Sequence, residues 1–220
     1  MADRRAIGTK TSAAVVDYVV EELFSGALRS GDRIDHDQLG EALGISRLPV
    51  REALVILERD GIVSMKYHRG VFVEPFDAES ILDDFEIMGL LSGLAVRRLA
   101  AHRDPETVAV LLGLLNELRA TSPADRGRIF ELVSQMMITE HRAGGSRRLR
   151  AQLRSYAGFL PRAFQLIDRN HAATVRAHAL VLDAVIAGDG EQAARHRLED
   201  FRDAGCSVVH ELRRRRVIGK

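Results

Sequence analysis

The chain has no tryptophan, one cysteine and five prolines among 220 residues, and only 5% of it is aromatic. So few aromatics argue against a sandwich or barrel built on aromatic-rich strands. A single cysteine, Cys206, excludes an internal disulfide framework and fits a reducing compartment. Nothing in the sequence suggests an activating neighbour for it, so it reads as an inert helical residue rather than a nucleophile. No apolar run approaches the roughly 18–20 residues that cross a bilayer. The opening MADRRAIGTK is polar and lacks the apolar core of a secretory signal. A cytoplasmic protein with no membrane partner is therefore expected. Neither charge dominates: 32 Lys and Arg stand against 31 Asp and Glu, for a net +1. What is present is a 46% apolar content, ordinary for a globular chain and enough to bury a core.

The charge balance gives no general attraction to nucleic acid. Residues 1–75 carry ten Lys or Arg and twelve Asp or Glu. Any such role must rest on where the cations point. Between Ser46 and Val73 the bias turns modestly basic, with Arg47, Arg51, Arg59, Lys66 and Arg69 against Glu52, Glu58 and Asp60.

The hydrophobic pattern predicts a mainly α protein in two parts. Residues 1–11 are expected to form a disordered lead-in. A helix over Ser12–Ser25 follows, with Val15, Val16, Val19, Val20, Leu23 and Phe24 as its apolar stripe. Asp35 caps a second helix, paired reciprocally with Gln38. Leu39, Ala42 and Leu43 face inward, and Gly44 ends the helix. Ser46 caps a third helix, with Pro49 tolerated in its first turn. Val50, Leu54 and Leu57 face its core, leaving Arg47, Leu48 and Arg51 outside. Gly61 closes it, and Ile62–Glu74 reads as two short strands around His68-Arg69-Gly70. Arg47 and Arg51 stand one turn apart and share a face at the start of the third helix. A helix start presenting basic residues outward is the layout of a reading head for a DNA groove.

Beyond Pro75 the pattern is helical throughout. Asp77 opens a helix to about Ala101, and Asp104-Pro105 starts another to about Arg119. Ser122-Pro123 is expected to repeat that device and lead a helix to Arg142, broken at Gly144-Gly145. Further helices are expected from about Arg147 to Asp168, from Asn170 to Ala187, and from Asp189, paired with Gln192, to the tail. Short loops join these into an antiparallel bundle. Phe85, Leu90, Leu94 and Leu99 read as core, as does the Met136-Met137 pair. Arg213–Arg216 reads as a solvated end that complements the helix dipole.

GISRLPVREAL, followed by DGIV and RGVFV, resembles the GntR family of bacterial transcription regulators. The helical partner resembles the FadR-type (FCD) branch, through ELVSQMMITEHRAGGSRRL and HALVLDAVIAGDGEQAARHRLED. The resemblance implies an N-terminal winged helix-turn-helix DNA-binding domain over 12–75. It also implies a C-terminal all-helical effector-binding and dimerisation domain over 77–220. It places Ser46, Arg47, Leu48 and Arg51 on positions that contact operator DNA, and His68, Arg69 and Gly70 on the wing. Arginine suits that role because its planar fork can bind guanine bidentately or clamp a phosphate. Asp37 departs from relatives that carry a basic contact residue nearby, and its expected role is to stabilise the helix start.

Many relatives hold a divalent metal in the bundle with one Asp and three His. The matching positions here are Val133, Met137, His178 and Asp200. Valine cannot coordinate, and a thioether suits a hard or borderline ion poorly. No cofactor and no divalent metal are expected, with His178 and Asp200 as remnants and His141 one turn beyond Met137. Where the family commonly has Arg and Glu on the first bundle helix, this chain has Met88 and Ser92. The six positions Met88, Ser92, Val133, Met137, His178 and Asp200 form the expected effector pocket, suited to a less anionic or more apolar ligand than a small carboxylate. The implied function is a homodimeric regulator, repression being the commoner mode, that reads an inverted-repeat operator under a small-molecule effector. Two rivals stand beside it: a constitutive dimeric DNA-binding regulator without effector, and a metal-assisted hydrolase using His178 and Asp200. The second lacks any visible nucleophile–base pair, so no enzyme is expected.

Overall fold

The computed structural model describes residues 2–155, 163 and 170–219. They divide into two compact units: Met1–Ile81 together with Glu211–Lys220, and Leu82–His210.

The first unit is a winged helix-turn-helix. Its helices are α1 (Ala2–Ser25), α2 (His36–Leu43) and α3 (Arg47–Arg59), and its strands are β1 (Arg33–Ile34), β2 (Val63–Lys66) and β3 (Gly70–Val73). The strands form an antiparallel sheet in the order β1-β3-β2, with Ile34 opposite Val71 and Lys66 opposite Gly70. The two-residue β1 was not expected, because a pair of residues carries no alternating pattern. The apolar stripe of α1 is buried from Val15 to Phe24, against a core that includes Val50, Ala53, Leu54, Leu57, Val63, Val71 and Val73. Backbone helix extends back to Ala2, into the stretch expected as a disordered lead-in. Asp35 caps α2 by accepting the Asp37 and Gln38 backbone N–H groups. Gly44 ends α2 in the left-handed region at φ 65°, a conformation that glycine adopts without steric cost. Leu39 is buried as expected, but Leu43 is only half-buried and Ala42 faces solvent. Ser46 occupies the N-cap of α3, yet its hydroxyl makes no capping bond.

The second unit is all helix: α4 (Ala78–His102), α5 (Pro105–Ala120), α6 (Arg126–Gly144), α7 (Arg147–Ser155), α8 (His171–Ala187) and α9 (Gly190–Arg214), with α4 and α9 running on into the first unit. Val96, Leu99, Leu111, Leu115, Leu118, Leu132, Met136, Val181 and Val185 build its core. α4 and α9 run antiparallel at close range: a side chain at Gly89 would meet Leu198 and Phe201, one at Gly93 would meet Ala194, and one at Gly205 would meet Phe85. Asp104 caps α5 with Pro105 at the first helical position, as expected. Ser122-Pro123 does not repeat the device. Those residues form a turn in which Asp125 N–H donates to the Ser122 carbonyl, and Asp125 caps α6 instead. Of the expected core residues on α4, Phe85 and Leu99 are buried and Leu94 is half-buried, but Leu90 is 54% exposed. The remainder of the helix expected from Arg147 to Asp168 lies outside the described residues, apart from Ala163.

The C-terminal arginines do more than end a helix. Arg214 and Arg215 both bond Glu211, at 2.7 and 2.6 Å, and the two hold that carboxyl down to about 2. Helix α9 ends there and the chain turns back. Ile218 is buried, and Val217 lies where a side chain at Gly26 would touch it. The described residues from Glu211 onward group with the first unit rather than with the bundle.

Candidate functional site

In the first unit, α3 places its core residues on one side and Arg47, Leu48 and Arg51 on the other, all exposed. Leu48 is 67% exposed. No acidic residue lies in the first turn of α3, so the positive end of its dipole is not offset there. The Arg51 side chain forms no ion pair or hydrogen bond among the described residues. Arg47 does: its Nε is 2.9 Å from Asp37 Oδ1, and its Nη2 donates to Asp37 Oδ2 at 3.1 Å. Asp37 is therefore more than a helix-start residue.

The wing turns at Tyr67–Arg69. His68 takes a left-handed φ of 56° and Gly70 a φ of 105°. The Arg33 guanidinium lies against Gly70, and it is the positive φ of the turn that calls for glycine there. Tyr67 is 88% exposed, and its ring stands edge-on to His68 with centroids 3.9 Å apart. His68 and Arg69 are exposed. Arg33, Asp37 and Tyr67 were not among the expected site residues. Arg33 and Asp37 reach theirs through the fold, and only a predicted strand pairing would have revealed Arg33.

In the second unit the six expected pocket residues all lie on the inward side of their helices. Met88, Ser92, His178 and Asp200 are buried, and Val133 and Met137 are half-buried. The fold brings two of them, Ser92 and Asp200, into a polar cluster with His141 and with Glu140 and Arg197, the last two of which were not expected. Arg197, fully buried, donates from Nη2 to both oxygens of Glu140 at 2.7 Å and from Nη1 to Asp200 Oδ2 at 3.0 Å. Ser92 Oγ bonds His141 Nε2 at 2.9 Å. Burial, reinforced by the nearby Arg197 charge, lowers the His141 imidazole to about 4 and keeps it neutral. Burial pushes the Glu140 carboxyl up, while Arg197 pulls against it.

A signal for this cluster existed in the sequence. Glu140 falls one turn after core Met136, and Arg197 falls between core Ala193 and Phe201. Charges of opposite sign on two apolar stripes point to a buried pair. The donor set does not fit a divalent metal. Val133 and Met137 offer no suitable ligand atom, and the Asp200 carboxylate is engaged by a guanidinium. Among the described residues, no group of three or more His, Cys, Asp or Glu is placed to hold an ion. No described helix is long and apolar enough to cross a membrane.

Residues 11–73 match the family of bacterial regulatory proteins called gntR, and residues 83–202 match the FCD domain. The chain belongs to the GntR family, in its FCD branch. It is 36% identical over 222 residues to an uncharacterised helix-turn-helix transcriptional regulator of Mycobacterium tuberculosis, covering 96% of this chain and 86% of that protein. Among solved structures it resembles a GntR regulator from Rhodococcus sp. RHA1, at 25% identity and a TM-score of 0.58, covering 90% of this chain and 97% of that one. It also shares its fold with E. coli McbR/YncC, at 22% identity and a TM-score of 0.63, covering 91% and 97%. This GntR-family protein is thus a sequence-specific DNA-binding regulator.

Proposed function

We propose that the protein is a homodimeric repressor whose two heads read an inverted-repeat operator and whose bundle binds a small-molecule effector. The observation that carries the reading is the exposed trio Arg47, Leu48 and Arg51 on a helix whose opposite face is fully committed to the core. The N-terminal turns of α3 enter the major groove. Arg47 and Arg51 contact base edges and phosphates, with Ser46 beside them and Leu48 against a thymine methyl. His68, Arg69 and Gly70 bring the wing to the neighbouring minor groove. A two-fold dimer matches a two-fold operator. Ile87 and Leu90, exposed one turn apart on α4 at 42% and 54%, give apolar surface for the second copy.

The effector enters the bundle among Met88, Ser92, Val133, Met137, His178 and Asp200. With the carboxylates of Glu140 and Asp200 already inside, a neutral or apolar ligand suits this interior better than a carboxylate. Its regulatory effect requires different affinities for the DNA-competent and incompetent arrangements.

The test is binding to a duplex selected by the parent protein from a randomised pool. Arg47→Ala and Arg51→Ala should each weaken it by on the order of 1–3 kcal/mol, with the fold intact by circular dichroism. If both variants bind the selected duplex as tightly as the parent at moderate salt, the head assignment fails.

A further inference from the structure

Asp37 and Arg47 stand ten residues apart, one in the first turn of α2 and the other opening α3. Their meeting is held from both sides. Asp37 donates its backbone N–H to the Asp35 cap at 2.8 Å. Between the helices, Ile45 N–H donates to the Gly40 carbonyl at 2.8 Å, and a side chain at Gly40 would collide with the Ile45 carbonyl. The turn is thus compact, and the distance between the two side-chain origins is set by backbone rather than by chance.

The pair is fully wetted, with side chains 85% and 59% exposed. Such ion pairs add little to stability. On a surface meant for DNA, an acidic group also lowers phosphate affinity. Asp37 stabilises the start of α2 as an acid in its first turn, but neither that nor general attraction accounts for its pairing with Arg47. Its geometry does. A guanidinium has two edges that each offer a parallel pair of N–H donors, Nε with Nη2 and Nη1 with Nη2. Asp37 takes the first edge through both of its oxygens. The second edge remains, now fixed in direction, and it matches the O6 and N7 acceptors of guanine. The adjacent carboxylate repels a phosphate and tolerates a base edge.

We propose that Asp37 is a specificity-determining positioning residue: it holds Arg47 for guanine readout and away from the phosphate backbone. The idea rests on the proposed role of Arg47 as a DNA contact, so the experiment must separate the two. Full-length parent, Asp37→Ala, Asp37→Asn, Arg47→Ala and the double variant Asp37→Ala/Arg47→Ala are measured on three duplexes over a range of salt. These are the duplex selected by the parent, the same duplex with single guanine replacements, and a scrambled duplex of equal composition.

Asp37→Ala is expected to reduce the preference for guanine at one position per half-site by roughly tenfold, within the range of a bidentate base contact. Binding to scrambled DNA should tighten, and the salt slope should steepen by about one counterion per head. Asp37→Asn keeps the size and removes the charge, and should show the same directions less strongly. In the Arg47→Ala background, removing Asp37 should leave base preference unchanged. A merely structural Asp37 would lower the melting temperature without moving base preference, and that result overturns the proposal. So does equal tightening on all three duplexes, which would make Asp37 a simple charge brake. Arg47→Ala binding the selected duplex like the parent would remove Arg47 itself, a failure of the underlying reading that no Asp37 result mimics.

Discussion

Two arginine–carboxylate groups in this protein use the same chemistry in opposite surroundings. Arg47 and Asp37 meet in water on the head. Arg197, Glu140 and Asp200 meet at zero or near-zero side-chain exposure inside the bundle. Water screens the first pair and competes for its donors, so its strength is small and its value lies in direction. The second group has no such competitor. Its charges were stripped of solvent on folding, and each depends on the others for compensation. One arrangement aims a side chain outward; the other locks helices together.

The largest expected effect comes from breaking the buried group. Arg197→Ala leaves two carboxylates without their cation and should destabilise the protein by about 3–5 kcal/mol, read by denaturant or thermal unfolding. Combining Arg197→Met with Glu140→Gln and Asp200→Asn removes the orphaned charges and should recover much of that loss. A single variant that melts like the parent would show that the buried network is not intact in solution. By contrast, Arg47→Ala should change unfolding stability by no more than about 1 kcal/mol, even though it weakens operator binding. A large loss of stability there would erase the contrast between the two regions.

A smaller effect concerns pH. His141 is lowered from its ordinary 6.5 to about 4 by burial and by the Arg197 charge. As pH falls from 6.5 toward 4, the unfolded chain takes up a proton that the folded chain refuses, so this group withdraws stability on acidification. Asp84 works the other way: burial, with Asp83 beside it, raises its carboxyl from 3.8 to about 6. The folded chain keeps that proton longer, so stability falls as pH rises from 3.8 to 6. Asp84→Asn should therefore raise the melting temperature at pH 7 and lose its advantage near pH 4. His141→Gln should flatten the acid side of the parent's profile. Unchanged profiles in both variants would place these groups in water rather than in the packed interior.

The smallest expected effect is none. A chelator should leave the melting temperature of the purified protein unchanged, because a guanidinium already compensates the bundle carboxylates. A drop of many degrees would mean that a metal, and not Arg197, neutralises them.

Much of the fold could be read without coordinates because its signals are local. The α1 stripe, the Asp35 and Asp104 caps, the Gly44 stop and the inward face of α3 each depend on residues within a turn or two of one another. Turn chemistry was less secure: Ser122-Pro123 looks like Asp104-Pro105, yet Asp125 captures the helix start because its carboxylate bonds the Arg128 N–H at 3.0 Å. Leu90 was misplaced for another reason. An apolar residue on a helix announces a tendency to be buried, and helical periodicity does not say whether the fold covers the face it lies on.

Sequence alone determined which residues α3 turns outward, since helical periodicity leaves Arg47, Leu48 and Arg51 nowhere else to go once Val50, Leu54 and Leu57 are buried. It also determined that the metal-ligand positions are poorly furnished, because Val133 and Met137 bring the wrong atoms to any geometry. Only the tertiary structure decided which charges meet. Asp37 finds Arg47 across a turn, Glu140 finds Arg197 across 57 residues, and Val217 returns to Gly26. Contacts of that kind depend on the packing of whole elements, and the energy of a charge depends on how much water that packing leaves beside it.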